Sequence, residues 1–164
     1  MISIIIPAFN EEKYLPKLLE CIKRQTYKDY EVIVADANSK DKTRQIAKKY
    51  GCKIVRSGSL PGIGRNRGAK TAKGNILLFL DADVLLDDDF LRSAAEEFEK
   101  RKLGCASVKI VPQSSKVIDK LFLGAFNLWV IATQSFYPHA IGACIICRKK
   151  LHEKIRGFDE KIGV

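Results

Sequence analysis

The sequence predicts an α/β protein with three layers, α/β/α, around a mainly parallel central sheet. Two observations carry this prediction. Four apolar runs typical of strands alternate with four helical segments over the first 102 residues, and the strand runs are apolar on both faces. Strands that are buried on both faces occur in parallel sheets covered by helices on each side. A chain of 164 residues is long enough to form one such domain with a real core.

The predicted strands are short runs rich in β-branched residues and leucine, and the helices have apolar residues three and four positions apart. In chain order, the strands are expected at Ile2–Ile6, Tyr30–Ala35, Lys53–Arg56 and Ile76–Leu80. The helices are expected from about Glu11 to Gln25, at Thr43–Tyr50, at Arg65–Lys73 and from Asp87 to Lys100. Gly51 stands where the second helix should end. Ser57–Gly64 is predicted as a loop, and the acids at Asp87–Asp89 favour a helix start.

The last third of the chain has a different pattern. Ala106–Val111 and Ala140–Arg148 are typical of strands, and Lys116–Tyr137 is a long, mostly apolar stretch. Two interpretations of this stretch stay open. It is either a core helix that covers the sheet or a helix on a membrane surface, since interfacial helices combine basic residues with Trp and Phe.

Composition and charge narrow the class of protein. The net charge is +10, which favours anionic ligands and lipids. No aromatic residues interleave with the basic ones, so we predict no specific nucleic-acid binding. The five cysteines are scattered, and Cys144–Cys147, although spaced as CxxC, lies in an apolar strand-like run. We therefore expect reduced cysteines and a cytoplasmic protein, with no signal peptide and no uninterrupted membrane-spanning segment.

Two carboxylates follow the fourth predicted strand directly, in Asp81-Ala82-Asp83. Carboxylate oxygens are the ligands that Mg²⁺ and Mn²⁺ prefer, and Mg²⁺ is usually held by one or two carboxylates plus substrate phosphates. The tripeptide is therefore a candidate site for a nucleoside diphosphate. The alternative is a polar turn that caps the next helix, because Asp is common at turns and helix starts.

The predicted topology places four loops at one edge of the sheet. Ligands of parallel α/β sheets lie beyond the carboxyl ends of the strands. Pro7–Glu11, Asp36–Asp41, Ser57–Gly64 and Asp81–Asp83 all follow strands and should meet at that edge. This convergence favours the ligand site over the simple turn.

Six segments, in order, match a known pattern. They are Ile4–Glu12, Tyr30–Asp36, Asp41–Thr43, Arg65–Gly68, Leu80–Asp83 and Gly157–Glu160. Together they resemble the family 2 glycosyltransferases, inverting enzymes with the Rossmann-like GT-A fold. The resemblance implies transfer of a sugar from a nucleotide-sugar donor to an acceptor hydroxyl, with a divalent cation, Mn²⁺ or Mg²⁺. It also implies one domain over residues 1–164, with a nucleotide-sugar-binding half at 1–102 and an acceptor-side half at 103–164.

The resemblance assigns roles to particular residues. It implies that the donor contacts Pro7, Ala8, Phe9 and Glu11 after the first strand, Asp36 after the second, Arg65, and Asp81, Ala82 and Asp83 after the fourth. Asp83 would bind the metal, and Asp81 would hold the ribose or the metal through water. Asp36 is followed by Ala37-Asn38, where the family has a second acid and a glycine, so the base preference is open; UDP is favoured and GDP is next. The acceptor is expected to be a carbohydrate or a lipid-linked glycan, and peripheral contact with an anionic inner membrane surface is the expected location.

Some assignments stay open at this point. In the family the catalytic base lies several residues beyond the Gly-Phe-Asp-Glu segment, so we expect it beyond Val164, in a chain truncated at its C-terminal end, and we expect slow transfer by these residues alone. The glycines Gly62, Gly64 and Gly68 are interpreted as letting the backbone approach a diphosphate. Arg65 either neutralises phosphate charge or is a solvated helix start. Two other functions are a sugar nucleotidyltransferase, disfavoured because Pro7–Glu11 lacks glycine, and a non-catalytic nucleotide-sugar- or membrane-binding module.

Overall fold

A single six-stranded sheet forms the centre of the part of the chain that this computed structural model describes, residues 1–109, 111, 116–133, 136 and 142–162. The strands are β1 (Ile2–Ala8), β2 (Tyr30–Asp36), β3 (Lys53–Arg56), β4 (Ile76–Leu80), β5 (Cys105–Ser107) and β6 (Cys144–Arg148). The helices are α1 (Leu15–Arg24), α2 (Thr43–Lys49), α3 (Pro61–Thr71), α4 (Phe90–Lys100), α5 (Val117–Thr133) and α6 (Lys149–Lys154).

The first four strands are parallel, β6 runs antiparallel to β4, and β5 runs antiparallel to β6. The order across the sheet is β3-β2-β1-β4-β6-β5. β1 pairs in parallel with β2 and β4, and Ala8 lies opposite Asp36. β6 is antiparallel to β4, so its first residue, Cys144, pairs with Leu80, the last residue of β4. The carboxyl ends of the parallel strands and the start of β6 therefore lie at the same edge.

Helices cover both faces of the sheet, which confirms the predicted α/β/α layers. Alternate residues of β1 point to opposite faces, as a strand requires. Ile4 and Ile6 lie in the larger core, which contains buried side chains of α1, α2 and α4. Ile5 lies in the second core, which contains Ala69 of α3 and contacts Phe158. Strands from both sides of residue 102 pair in this one sheet. The assignment of donor binding to residues 1–102 and acceptor binding to residues 103–164 stays a prediction.

α3 begins earlier than the sequence predicted. The Ser57–Gly64 loop ends at Leu60, and the helix starts at Pro61, where the missing N–H and the fixed φ of proline suit the first turn. The glycines inside α3 bring the helix close to its neighbours. A Cβ on Gly68 would lie 2.3 Å from Ile5 Cγ2, and one on Gly62 would lie 2.8 Å from the Asp159 carbonyl oxygen. Gly62 and Gly68 therefore pack closely on protein atoms, and the approach of the glycine backbone to a diphosphate stays a prediction.

The starts of α1 and α4 also differ from the prediction. α1 begins at Leu15 rather than near Glu11, because Glu11 belongs to a loop whose amide donates to Thr43 Oγ1. α4 begins at Phe90, so the three acids before it are outside its first turn. Asp88 instead forms an exposed ion pair with Arg24, with 3.1 Å between Oδ1 and Nε. These acids connect the start of α4 to the end of α1.

The cysteine pair at 144 and 147 belongs to a strand, as predicted. Cys144 lies in the larger core and Cys147 in the second core, so the two thiols are on opposite faces of the sheet. Burial raises the pKa of each thiol to about 12. β6 starts at Cys144, and residue 140, where the strand was expected to begin, lies outside the described residues. β5 is the short segment Cys105–Ser107 rather than Ala106–Val111, and residue 110 is likewise not described.

The long apolar stretch forms α5. Of its 17 residues, Asn127 and Val130 are buried. Residue 137, at the end of the predicted stretch, lies outside the described residues. Among the helices described, none has both the length and the apolar character needed to cross a membrane.

Candidate active site

A cavity of about 580 Å³ lies at the edge of the sheet where the parallel strands end. It is lined by eight of the nine residues that the sequence assigned to the donor: Pro7, Ala8, Phe9, Glu11, Arg65, Asp81, Ala82 and Asp83. These residues come from the end of β1 and the loop after it, from the loop after β4 and from α3. The structure therefore brings together residues that are far apart in sequence, as the predicted topology requires.

The loops after β1 and β2 are joined by hydrogen bonds and form one wall of this edge. The Asn10 amide donates to Ser39 Oγ over 3.0 Å, and the Lys40 amide donates to Asn10 Oδ1 over 2.9 Å. The Glu11 amide donates to Thr43 Oγ1 over 2.7 Å. Asn10 has a φ of 56°, in the left-handed region that Asn tolerates better than most residues. These reciprocal bonds hold the loop after β1 in one conformation beside the cavity.

Asp36 was also predicted to contact the nucleotide-sugar donor, but it does not line the cavity. It is 3% exposed, and its carboxylate accepts hydrogen bonds from the Ser39 amide at 3.3 and 3.2 Å. The Arg44 Nε lies 3.6 Å from its Oδ2. The adjacent residues Ala35 and Ala37 line the cavity instead. Contact between the Asp36 carboxylate and a nucleoside stays a prediction.

Arg65 is buried and joins two segments at the site. Its Nη2 donates to Asp81 Oδ1 over 2.8 Å and to the Gly142 carbonyl over 3.1 Å. Its guanidinium carbon lies 5.4 Å from the centre of the Phe158 ring, within the range of a cation–π contact. Arg65 is only 7% exposed, and among the described residues its Nε has no hydrogen-bond partner. The alternative interpretation of Arg65 as a solvated helix start was wrong.

Burial and neighbouring carboxylates raise the pKa of two acids at the cavity, Glu11 and Asp81. Burial raises the pKa of Glu11, and the charges of Asp83, Asp41 and Asp81 raise it further. Burial also raises the pKa of Asp81; Arg65 acts in the opposite direction, and Asp83 adds to the increase. The cavity therefore concentrates negative charge, which favours binding of a cation.

The carboxylates at the cavity fit a divalent cation that takes its remaining ligands from a bound substrate. No group of three or more His, Cys, Asp or Glu side chains that could hold a metal is found within the described residues. A protein cage of that kind is not what Mg²⁺ usually requires, because one or two carboxylates and substrate phosphates suffice. Asp81 and Asp83 both line the cavity, and one Asp81 oxygen is engaged by Arg65. Two carboxylates in a negatively charged cavity are consistent with this shared arrangement.

The Gly157–Glu160 segment is fixed on α3 behind the cavity. The Asn66 side chain donates to the Phe158 carbonyl over 2.9 Å and accepts from the Phe158 amide over 2.9 Å. Asn66 Nδ2 also donates to Glu160 Oε1 over 3.0 Å, and Asp159 Oδ1 accepts from the Lys161 amide. Both acids of the segment are thus engaged in local contacts. The location of the catalytic base stays a prediction.

Sequence reasoning missed several lining residues. Tyr14, the Ser57–Pro61 segment and Gly142-Ala143 also line the cavity. The loop after β3 was expected at this edge, so residues of the Ser57–Pro61 segment could have been predicted as lining residues from that position. Gly142 and Ala143 precede an antiparallel strand, and only the pairing of β6 with β4 shows that they lie beside Asp81, whose amide donates to the Ala143 carbonyl.

Comparison with known proteins identifies the family. The model of glycosyl transferase family 2 matches residues 3–156. The poly(ribitol-phosphate) beta-N-acetylglucosaminyltransferase TarS of Staphylococcus aureus is 33% identical over 129 residues, 68% of this chain and 22% of TarS. The 4,4'-diaponeurosporenoate glycosyltransferase of Staphylococcus haemolyticus is 36% identical over 145 residues, 82% of this chain and 38% of that protein. The chain therefore spans well under half the length of these relatives.

Solved structures show the same fold. The crystal structure of Staphylococcus aureus TarS 1-349 has a TM-score of 0.75 at 25% identity, covering 99% of this chain and 51% of that chain. The mannosyltransferase PcManGT from Pyrobaculum calidifontis has a TM-score of 0.77 at 22% identity, covering 99% of this chain and 48% of that chain. These neighbours confirm the GT-A fold that the sequence predicted. The match over residues 3–156, together with this fold, shows that the chain belongs to glycosyl transferase family 2, a family of enzymes.

Proposed function

We propose that this chain binds a nucleoside-diphosphate sugar with a divalent cation and transfers the sugar to an acceptor hydroxyl with inversion. The observation that carries the proposal is the cavity at the strand ends, where Asp81 and Asp83 meet the loop after β1 and the buried Arg65. Membership of the family supports sugar transfer over the nucleotidyltransferase alternative.

The donor is held by the walls of this cavity. Phe9 is 57% exposed on the wall and offers an aromatic face for a base to stack on. Arg65 lies at the cavity and directs its guanidinium to Asp81, so it sets the orientation of that carboxylate. UDP is the favoured nucleotide, because the TarS structure in complex with UDP is 26% identical to this chain. GDP is next, and the structure with GDP-Man shares the fold at 22% identity.

Asp83 and Asp81 would hold the cation, Mn²⁺ or Mg²⁺. When bound, such a cation supplies Lewis-acid stabilisation of the departing diphosphate. The cavity's own acids, Glu11 among them, favour that cation because their mutual repulsion is relieved by positive charge. Asp159 and Glu160 make local contacts, so we assign neither of them as the base that deprotonates the acceptor.

We further propose a cytoplasmic location and an acceptor that is a cell-envelope or lipid-linked glycan. The names of two relatives support the proposed acceptor. TarS is named a poly(ribitol-phosphate) beta-N-acetylglucosaminyltransferase. A Methanococcus voltae transferase, 35% identical over 111 residues, is named for dolichyl N-acetyl-alpha-D-glucosaminyl phosphate. The five free cysteines of this chain suit a reducing compartment.

Calorimetry of UDP and GDP binding tests the cation. We expect affinity with Mn²⁺ to fall by about tenfold or more in EDTA, the range seen even for residues that only orient metal ligands. Asp83→Asn should lower affinity by a similar factor and make it insensitive to EDTA. Asp87→Asn is the matched control, because Asp87 is an exposed acid outside the cavity lining and the charge change is the same. Equal affinity with and without EDTA for whichever nucleotide binds would refute the role of the cation.

A further inference from the structure

α5 exposes a continuous apolar surface. Its large apolar side chains are between 57% and 73% exposed at seven positions, Val117, Ile118, Leu121, Phe122, Leu128, Trp129 and Ile131. With 3.6 residues per turn, positions separated by four and by eleven residues align along a helix. Val117, Leu121 and Leu128 therefore form one row, and Ile118, Phe122 and Trp129 form the adjacent row. Neither row contains a charged side chain; together we call these six residues the outer face of α5.

The polarity of α5 is the reverse of an ordinary surface helix. A helix on a water-soluble protein normally turns its apolar stripe inward and its polar residues outward. In α5 the buried residues are Asn127 and Val130, so an amide side chain points inward while the leucines and aromatics of the outer face point outward. The charged residues of the helix, Asp119 and Lys120, lie outside both rows. The outer face is therefore built to meet an apolar environment.

We propose that the outer face of α5 inserts into the surface of a bilayer that carries anionic headgroups. The charge of the chain supports this occupant over a second copy, because two chains of net charge +10 repel each other, whereas an anionic surface attracts both. Exposed lysines at 109, 116 and 120 lie before and at the start of the helix, and Trp129 is an aromatic residue of the kind enriched at membrane interfaces. A convex row of side chains also needs no complementary groove in a lipid surface.

The pattern of burial indicates how α5 would lie on the membrane. Asn127 and Val130 mark the buried side of the helix, and the outer face is exposed for lipid. The helix therefore lies in the plane of the interface rather than along the bilayer normal. This inference goes beyond the sugar transfer proposed above, and it needs neither nucleotide nor cation, so its failure and the failure of the transfer reaction are distinguishable.

The test is binding of the 164-residue chain to vesicles. We expect co-sedimentation with phosphatidylglycerol-containing vesicles at low salt, weaker binding at high salt, and poor binding to pure phosphatidylcholine. Trp129 is the single tryptophan, so its emission reports directly on the outer face and should shift to the blue on binding. This measurement uses the unmodified chain and does not depend on the folding of any variant.

A matched pair of variants separates insertion from electrostatics. Leu121→Glu with Leu128→Glu changes two residues that are each 68% exposed on the outer face. Ile155→Glu with Ile162→Glu makes the same charge change at two residues that are each 62% exposed outside α5. We expect the α5 pair to lose about tenfold or more additional affinity for anionic vesicles, because it also removes inserted apolar area.

Three outcomes would overturn the proposal. The first is absence of binding to anionic vesicles at low salt, and the second is equal loss of affinity in the two double variants with an unshifted Trp129 spectrum. The third is concentration-dependent self-association without vesicles that Leu121→Glu with Leu128→Glu abolishes, which would assign the outer face to a second copy of the chain.

Discussion

At Gly68, α3 lies against β1 with no room for a side chain, and replacing this glycine with alanine should perturb both the core and the candidate site. A Cβ at Gly68 would lie 2.3 Å from Ile5 Cγ2 and 3.3 Å from Ile5 Cγ1. Ile5 is completely buried in the second core, and its β-branched side chain has little freedom to rotate away. The helix itself must therefore move away from the sheet in the Gly68→Ala variant.

The size of the effect follows from two opposing terms. Overpacking of a core costs typically 1–3 kcal/mol, and a contact this short belongs at the upper end, about 3 kcal/mol. Alanine in place of glycine inside a helix recovers about 1 kcal/mol. We expect a net loss of about 2 kcal/mol in the free energy of unfolding, which for a domain of this size lowers the melting temperature by about 4–8 °C.

Urea unfolding of Gly68→Ala and of Gly124→Ala checks this expectation. Gly124 lies inside α5, and a Cβ there would meet no atom within 4 Å. This control therefore measures only the gain in helix propensity from glycine to alanine. It should raise the free energy of unfolding by up to about 1 kcal/mol. The Gly68→Ala variant should also bind UDP more weakly, because Arg65 lies one turn earlier on the same helix.

A stability of Gly68→Ala equal to or above that of the unmodified chain would refute the close packing of α3 on β1. A double-mutant cycle gives an independent check. In an Ile5→Ala background the same substitution should cost less, with a coupling of about 1 kcal/mol or more between the two positions. Additive effects would show that Gly68 and Ile5 are not in contact.

Two further predictions concern charged groups. We expect Arg65→Met to lower the free energy of unfolding by about 2 kcal/mol. This is less than the loss for a fully buried ion pair, because the Asp81 side chain is 38% exposed. Adding Asp81→Asn should recover part of the loss, and no recovery in urea unfolding would show that the two side chains are not coupled. For Glu31, burial raises the pKa, but hydrogen bonds from the Lys73 amide and the Ser3 hydroxyl outweigh it and hold the pKa below its ordinary value of 4.5. Its stabilisation is therefore present above that value and is lost as pH falls through the folded pKa. Glu31→Gln should destabilise the chain at neutral pH and have little effect in acid, and an equal effect at both pH values would contradict the ionic role.

Much of the fold could be predicted because apolar runs mark buried strands directly. All four parallel strands were placed to within two residues at either end, and their alternation with helices determined the layers. Boundaries failed where glycine and proline were taken as loop residues. Gly62 and Gly64 belong to α3 because small residues allow the helix to approach its neighbours, and local propensity carries no information on that packing.

The candidate site was predictable in its location but not in its internal contacts. The sequence by itself determined which loops meet, because parallel strands deliver their carboxyl ends to one edge, and it identified the family through six ordered segments. Only the tertiary structure decided that Arg65 pairs with Asp81 and reaches Gly142, 77 residues away in the chain. It also decided that Asp36 binds its own loop and that α5 turns its leucines outward. Periodicity defines the faces of an element, but the partner of a face depends on packing between distant segments, which local sequence does not encode.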